Sequence, residues 1–200
     1  MDSDQALLLA VARLPTVGVD GQYLRQVARS RIERALVGSS RGGRWGPPRM
    51  FPVLYLSDDH RSCVAEAYRH TVDPLQEQAG VAPGTAERAL LTVDVHVTNV
   101  LDLTTATART ALGLDPAIVF SEPQTSRGAA YEECSRIGVA AHRLERHGIL
   151  VPAATHYGNT LVLFVDHLPP EEVPVLAGEP VIWTSLPPDP RRIRLIRTED

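Results

Sequence analysis

The chain contains no lysine: all twenty of its basic residues are arginine. That excludes Schiff-base and general-base chemistry by a side-chain amine, and it commits every cationic contact with an anion to the guanidinium fork. Aromatic residues are scarce, at 5%, so the position of each Tyr and Trp carries weight. There are two cysteines, Cys63 and Cys134, too few for a metal cage and without ligand spacing around them. Both fall in apolar helical patterns and are expected to be buried free thiols in a reducing compartment. No apolar run approaches the length of a membrane span. The opening MDSDQALLLAVARLPTVG starts acidic and lacks the basic region of a signal peptide. The expectation is a cytoplasmic protein without membrane contact. No internal repeat or low-complexity stretch is present.

What remains is ordinary for a soluble domain: 200 residues, 44% hydrophobic and 22% charged. A net charge of −4 argues against nucleic-acid binding by bulk positive charge. Periodicity predicts a short helix over 4–13, a covered strand in FPVLYLS, and a helix capped by Ser57 or Asp58 that runs to about His70. Residues 22–37 carry apolar positions among arginines and are left unassigned. A strand over 89–97, a short helix ending at Gly113 and a loop over 115–128 follow. A helix from Tyr131 is expected to close at His147-Gly148. Strands ILVPA and TLVLFVD flank the turn THYGN, and RRIRLIRT reads as a last edge strand. Strands and helices mix without a steady βαβ rhythm, so the fold class is α+β, or mixed α/β.

Residues 42–70, GGRWGPPRMFPVLYLSDDHRSCVAEAYRH, concentrate the candidate chemistry. Gly42 and Gly43 allow main-chain N–H groups to approach an anion, and Arg44 can grip a phosphate with two prongs. Taken alone, such a motif is more often an ordinary surface turn, and it matches neither a Walker loop nor a Rossmann fingerprint. Tyr55 lies near the end of its strand, where its ring suits stacking on a planar ligand as well as it suits a core. Glu66 borders the inward face of its helix. A carboxylate there needs a cation, and Arg25 or Arg44 is the expected partner, whether in a structural ion pair or in a site. The histidines show no metal spacing. His142 and His147 are expected at the surface or the helix end, and His156 in a turn.

In order along the chain, YLRQ (Arg25), GGRWGPP (Arg44, Trp45), FPVLYLS (Tyr55) and CVAEAYRH (Glu66) resemble the RES-domain family, named for its Arg, Glu and Ser. LTVDVHVTNVLDLTTATARTALGL, YEECSRIGVAAHRL and HGILVPAATHYGNTLVLF extend the resemblance over roughly residues 21–168. Residues 1–20 would then be an extension and 169–200 a Pro-rich tail. The resemblance implies a single domain with an ADP-ribosyltransferase-like fold that binds NAD+ and degrades it by phosphorolysis or hydrolysis. NAD+, and inorganic phosphate if used, are then substrates, with no cofactor or metal. It further implies a toxin neutralised by a cognate Xre-type antitoxin; self-association is left open. On this resemblance Glu66, Arg44 and Arg25 are catalytic, and Arg25, Arg44 and Tyr55 bind NAD+. The family's serine has no assigned counterpart, because Glu132 and Ala153 stand where a hydroxyl is expected. Two other readings accompany this one: ADP-ribose transfer to a macromolecule, and a non-catalytic nucleotide- or partner-binding protein.

Overall fold

The computed structural model describes residues 3–73, 87–121 and 129–192. Helix α1 (Ser3–Arg13) has Asp4 in its first turn and Arg13 in its last, each favourable to the helix dipole, and buries Val11 in the core. Strand β1 (Thr16–Ala28) follows and runs through part of the segment left unassigned in the sequence. It buries only Val19, Tyr23 and Val27, which share one face because strand side chains alternate. The polar residues between them hide that pattern. A 3-10 turn over Arg29–Arg34 ends the strand.

Strand β2 (Val53–Ser57) is the covered strand predicted, with Val53, Leu54 and Leu56 buried. Helix α2 (His60–Thr71) is capped by Asp59, whose carboxylate accepts the Arg61 N–H at 2.7 Å. The expected caps are otherwise engaged: Ser57 is still in β2, and the Asp58 carboxylate accepts from the Asn159 main chain and side chain.

Strand β3 (Arg88–Asp102) extends past the expected 89–97 at both ends. Helix α3 (Ala106–Ala111) is capped by Thr105 and stops before Gly113, which has a positive φ. Inside the expected loop, Pro116–Val119 forms a single helical turn, α4, capped by Asp115; residues 122–128 lie outside the described residues. Helix α5 (Ala129–Arg143) ends earlier than expected. The chain turns at Glu145, which takes a positive φ, and Gly148 is not a helix stop but the first residue of β4 (Gly148–Pro152). Strand β5 (Asn159–Phe164) follows the THYG turn, where His156 and Gly158 have positive φ. Strands β6 (Val175–Leu176) and β7 (Val181–Trp183) complete the sheet. Of the expected last strand, Arg191 and Arg192 form a turn and the rest lies outside the described residues.

Strand β3 organises the sheet. It pairs antiparallel with β1 over almost its whole length; its other side takes β7, then β6, then β4 in parallel. Strand β5 lies between β4 and β2, and β2 touches β1, so the pairings close into a ring: β1, β3, β4, β5, β2 and back to β1. Inside it pack Tyr23, Val27, Leu54, Leu56, Leu91, Val93, Leu161 and Leu163. The other faces of β2, β4 and β5 pack Val53, Ile149, Val151, Val162 and Phe164 against α1, α3 and α5. Across the first expected boundary, residues 20 and 21, β1 runs without interruption. Beyond the second, residue 168, β6 and β7 add to β3.

Helix α5 approaches the loop before β2 closely enough that a Cβ at Gly138 would overlap the Trp45 carbonyl oxygen. A main-chain clash has no rotamer to relieve it. Gly138→Ala is therefore expected to destabilise the fold by about 3 kcal/mol and lower Tm by roughly 9 °C. A melting curve matching the parent would show that α5 does not dock this way.

Candidate active site

The ring is weakest where β1 meets β2. The two strands share a single pairing, Leu24 with Ser57, and then splay apart. Arg25 spans the split, donating from Nη1 to the Tyr55 carbonyl at 2.8 Å in place of a ladder bond. A cavity of about 760 Å³ opens there, walled by β1, β2, the glycine loop, α2 and the start of the 153–158 turn. Arg25, Arg44, Tyr55 and Glu66 all line it.

Gly42 takes a positive φ that a side chain would strain, and Gly43 is explained by Tyr55. Its ring lies against Gly43, where a Cβ would come within 2.6 Å of the hydroxyl, and that hydroxyl accepts the Trp45 N–H at 3.1 Å. Burial raises the phenol's pKa above its ordinary range, so it remains a neutral hydroxyl bracing the turn. Arg44 leaves the turn inward and is 9% exposed. Its Nη1 donates to the Ile118 carbonyl at 2.6 Å and to Ser121 Oγ at 3.0 Å, and its Nη2 to the Ser121 carbonyl at 2.6 Å. The guanidinium also lies 5.1 Å from the centre of the Tyr131 ring. The fork expected to grip an anion thus already grips the end of α4, and Arg44 brings the cavity a fixed charge. Among the described residues, neither Arg25 nor Arg44 has a carboxylate partner. The buried Nε of Arg25 has no hydrogen-bond acceptor there either.

Glu66 corrects the expected pairing. Its partners are neither Arg25 nor Arg44 but its own helical neighbours: Arg69 Nη1 at 2.8 Å and His70 Nε2 at 3.5 Å. Three and four residues along a helix share a face, a signal the sequence carried in EAYRH. Burial pushes the Glu66 carboxyl up, yet His70 and Arg69 together outweigh it and hold the group below its ordinary value. The stabilisation from this pairing is therefore present above the ordinary carboxylate range and is lost as pH falls through the lowered value. Arg69 is 5% exposed, and its Nη2 also donates to the Ala154 carbonyl at 3.2 Å. Three guanidinium groups against one carboxylate leave the cavity electropositive, which favours an anionic ligand.

Sequence reasoning missed Arg69, His70, Ser62 and Tyr131, all of which line the cavity. Ser62 Oγ lies 2.7 Å from Thr155 Oγ1 of the 153–158 turn. Of the positions where a hydroxyl was expected, Ala153 is buried and Glu132 exposed. Cys63 also lines the cavity. Burial, with Glu66 and Asp59 adding to it against Arg25, pushes its thiol up to about 12; burial likewise lifts Cys134 to about 11 despite Arg44 nearby. Both are free thiols, too poorly ionised to act as nucleophiles.

Among the described residues, His142, Asp166 and His167 are the one group spaced closely enough to invite a metal. The two imidazoles are stacked, with centroids 3.9 Å apart and planes 26° from parallel, so their in-plane lone pairs do not converge on one ion. His147 pairs with Glu172 at 2.6 Å, and His156 stacks on Phe120 at 4.6 Å.

Residues 23–184 match the RES domain family. The chain is 35% identical over 138 residues to the NAD(+) phosphorylase MbcT of Mycobacterium tuberculosis and of Mycobacterium bovis, a match spanning 66% of each protein's length. It is 31% identical over 183 residues to a probable NAD(+) phosphorylase of M. tuberculosis, spanning 89% of this chain and 82% of that one. The crystal structure of the M. tuberculosis MbcT–MbcA toxin–antitoxin complex contains a similar chain. Its TM-score is 0.67 at 29% identity, over 90% of this chain and 92% of that chain. No described helix is long and apolar enough to cross a membrane.

Proposed function

Because this chain belongs to the RES domain family, we propose that it degrades NAD+ by cleaving the bond between nicotinamide and ribose. The observation that carries this reading is the cavity at the β1–β2 split, with Arg25 and Arg44 free of carboxylate partners among the described residues and Glu66 on its α2 wall. A dinucleotide brings a dianionic pyrophosphate and, once nicotinamide begins to leave, an oxocarbenium-like ribose. Arg25 and Arg44 supply positive potential for the first, and the ionised Glu66 stabilises the second. The breaking bond's electron pair goes to the nicotinamide ring nitrogen, discharging its positive charge, so the leaving group departs neutral. An oxygen of inorganic phosphate then bonds to the ribose carbon, giving ADP-ribose 1-phosphate. The names of the relatives favour phosphate over water as that nucleophile. An NAD+ consumer acts where the NAD+ pool lies, in the cytoplasm, and such an activity calls for restraint. The similar chain solved in a toxin–antitoxin complex supports an antitoxin-type protein as its partner.

Purified protein incubated with NAD+, with and without phosphate, and analysed by mass spectrometry and phosphorus NMR tests this directly. Phosphate-dependent release of nicotinamide with ADP-ribose 1-phosphate is the expected result. ADP-ribose alone would establish hydrolysis instead, and ADP-ribose attached to protein would establish transfer. Intact NAD+ after prolonged incubation would remove the catalytic reading.

A further inference from the structure

Resting on the reading of Glu66 as the group that faces the reacting ribose, we propose that Arg69 is a positioning residue of this site. It locks the Glu66 carboxylate to the 153–158 turn that forms the neighbouring wall. The geometry is a two-point clamp. Nη1 holds Glu66 Oε1 at 2.8 Å, and Nη2 reaches across to the Ala154 carbonyl at 3.2 Å. The side chain is almost wholly buried, whereas that of Glu66 is 36% exposed. The anchor is thus inside the protein and the working group at the cavity surface. A surface i, i+3 ion pair has the opposite distribution, with both ends in water and little energetic consequence.

The turn is held to α2 at a second point, the contact between Ser62 Oγ and Thr155 Oγ1. Helix and turn therefore form one unit, and the carboxylate's position is referred to this neighbouring wall of the cavity as well as to α2. A planar guanidinium can serve two acceptors in fixed directions; an ammonium cannot hold both at this span.

The charged and titratable groups facing the cavity beside Glu66 are Arg69, His70 and Cys63 from α2, Arg25 from β1, Tyr55 from β2, Arg44 from the glycine loop and Tyr131 from α5. The 153–158 turn adds the Ala154 main chain. Of these groups, His70 and Arg69 depress the Glu66 carboxyl against its burial. Without Arg69, the opposition to burial weakens and the carboxyl titrates at higher pH.

Arg69→Gln and Arg69→Lys are compared with the parent by two independent readouts. One is NAD+ turnover across pH; the other is titration of the Glu66 carboxyl carbon by NMR in glutamate-labelled protein. In Arg69→Gln, kcat is expected to fall about tenfold or more while KM for NAD+ changes less than about threefold. Glu66 titrates at higher pH, and the acidic limb of kcat moves up with it. Arg69→Lys restores the charge but not the reach, so it recovers the Glu66 titration and only part of kcat. An unmoved Glu66 titration in a folded Arg69→Gln overturns the proposal whatever turnover does. So does a loss of Tm with an unchanged pH profile and kcat, which describes a merely structural ion pair. Should Arg69→Gln not fold, the parent and the Lys variant decide. A parent Glu66 titrating at or above the ordinary carboxylate range, or a Lys variant with full kcat, overturns the clamp. A parent that leaves NAD+ intact removes the proposed reaction, while the titration still judges the positioning.

Discussion

Glu66→Gln is expected to fold, to bind NAD+ nearly as well as the parent, and to lose NAD+ breakdown by about a hundredfold or more. The substitution keeps the volume and one carbonyl oxygen, so Arg69 retains an acceptor for Nη1. What disappears is the negative charge opposite the developing ribosyl cation, an interaction made chiefly in the transition state. Such a loss appears in kcat and leaves the dissociation constant nearly untouched. The buried Arg69 guanidinium does lose its counter-charge. With the Glu66 side chain 36% exposed, solvent softens that penalty to about 1 kcal/mol, a fall of a few degrees in Tm. Single-turnover kinetics, calorimetric NAD+ affinity and a melting curve separate these effects. Parental turnover in the Gln variant would reduce Glu66 to a member of a structural ion pair and end the mechanism proposed.

Arg44→Ala should act on the other side of the ledger between binding and chemistry. The parent guanidinium makes three hydrogen bonds to Ile118 and Ser121 and contributes a positive charge to the cavity. Truncation removes the charge and releases the end of α4, which forms part of the same region of the wall through Val119. NAD+ affinity is expected to fall by roughly tenfold to a hundredfold, the range for losing a charge-assisted contact, with kcat/KM falling mainly through KM. Arg44→Lys keeps the charge but cannot serve Ile118 and Ser121 together, so it should recover only part of the affinity. An NAD+ dissociation constant equal to the parent's in Arg44→Ala would show that the residue pins α4 and does nothing for the ligand.

Much of this architecture was readable along the chain. FPVLYLS, ALLTVDVHV and the helix following SDDH are strong local patterns, and each folds as its periodicity indicates. The four residues singled out as Arg25, Arg44, Tyr55 and Glu66 do line one cavity. Three features were decided only in three dimensions, each for a nameable reason. Strand β1 was obscured because it buries one residue in four over its middle, leaving the rest to the cavity and solvent; pairing with β3, not propensity, makes it a strand. Helix α5 stops at Arg143 because the chain must turn there to bring Gly148 against β5, which no local signal announces. The counter-ion of Glu66 was sought among distant arginines when helical spacing already offered Arg69. The sequence holds that pair, but only the fold, by carrying Ala154 onto the other end of the same guanidinium, turns a helical neighbour into a bridge across the site.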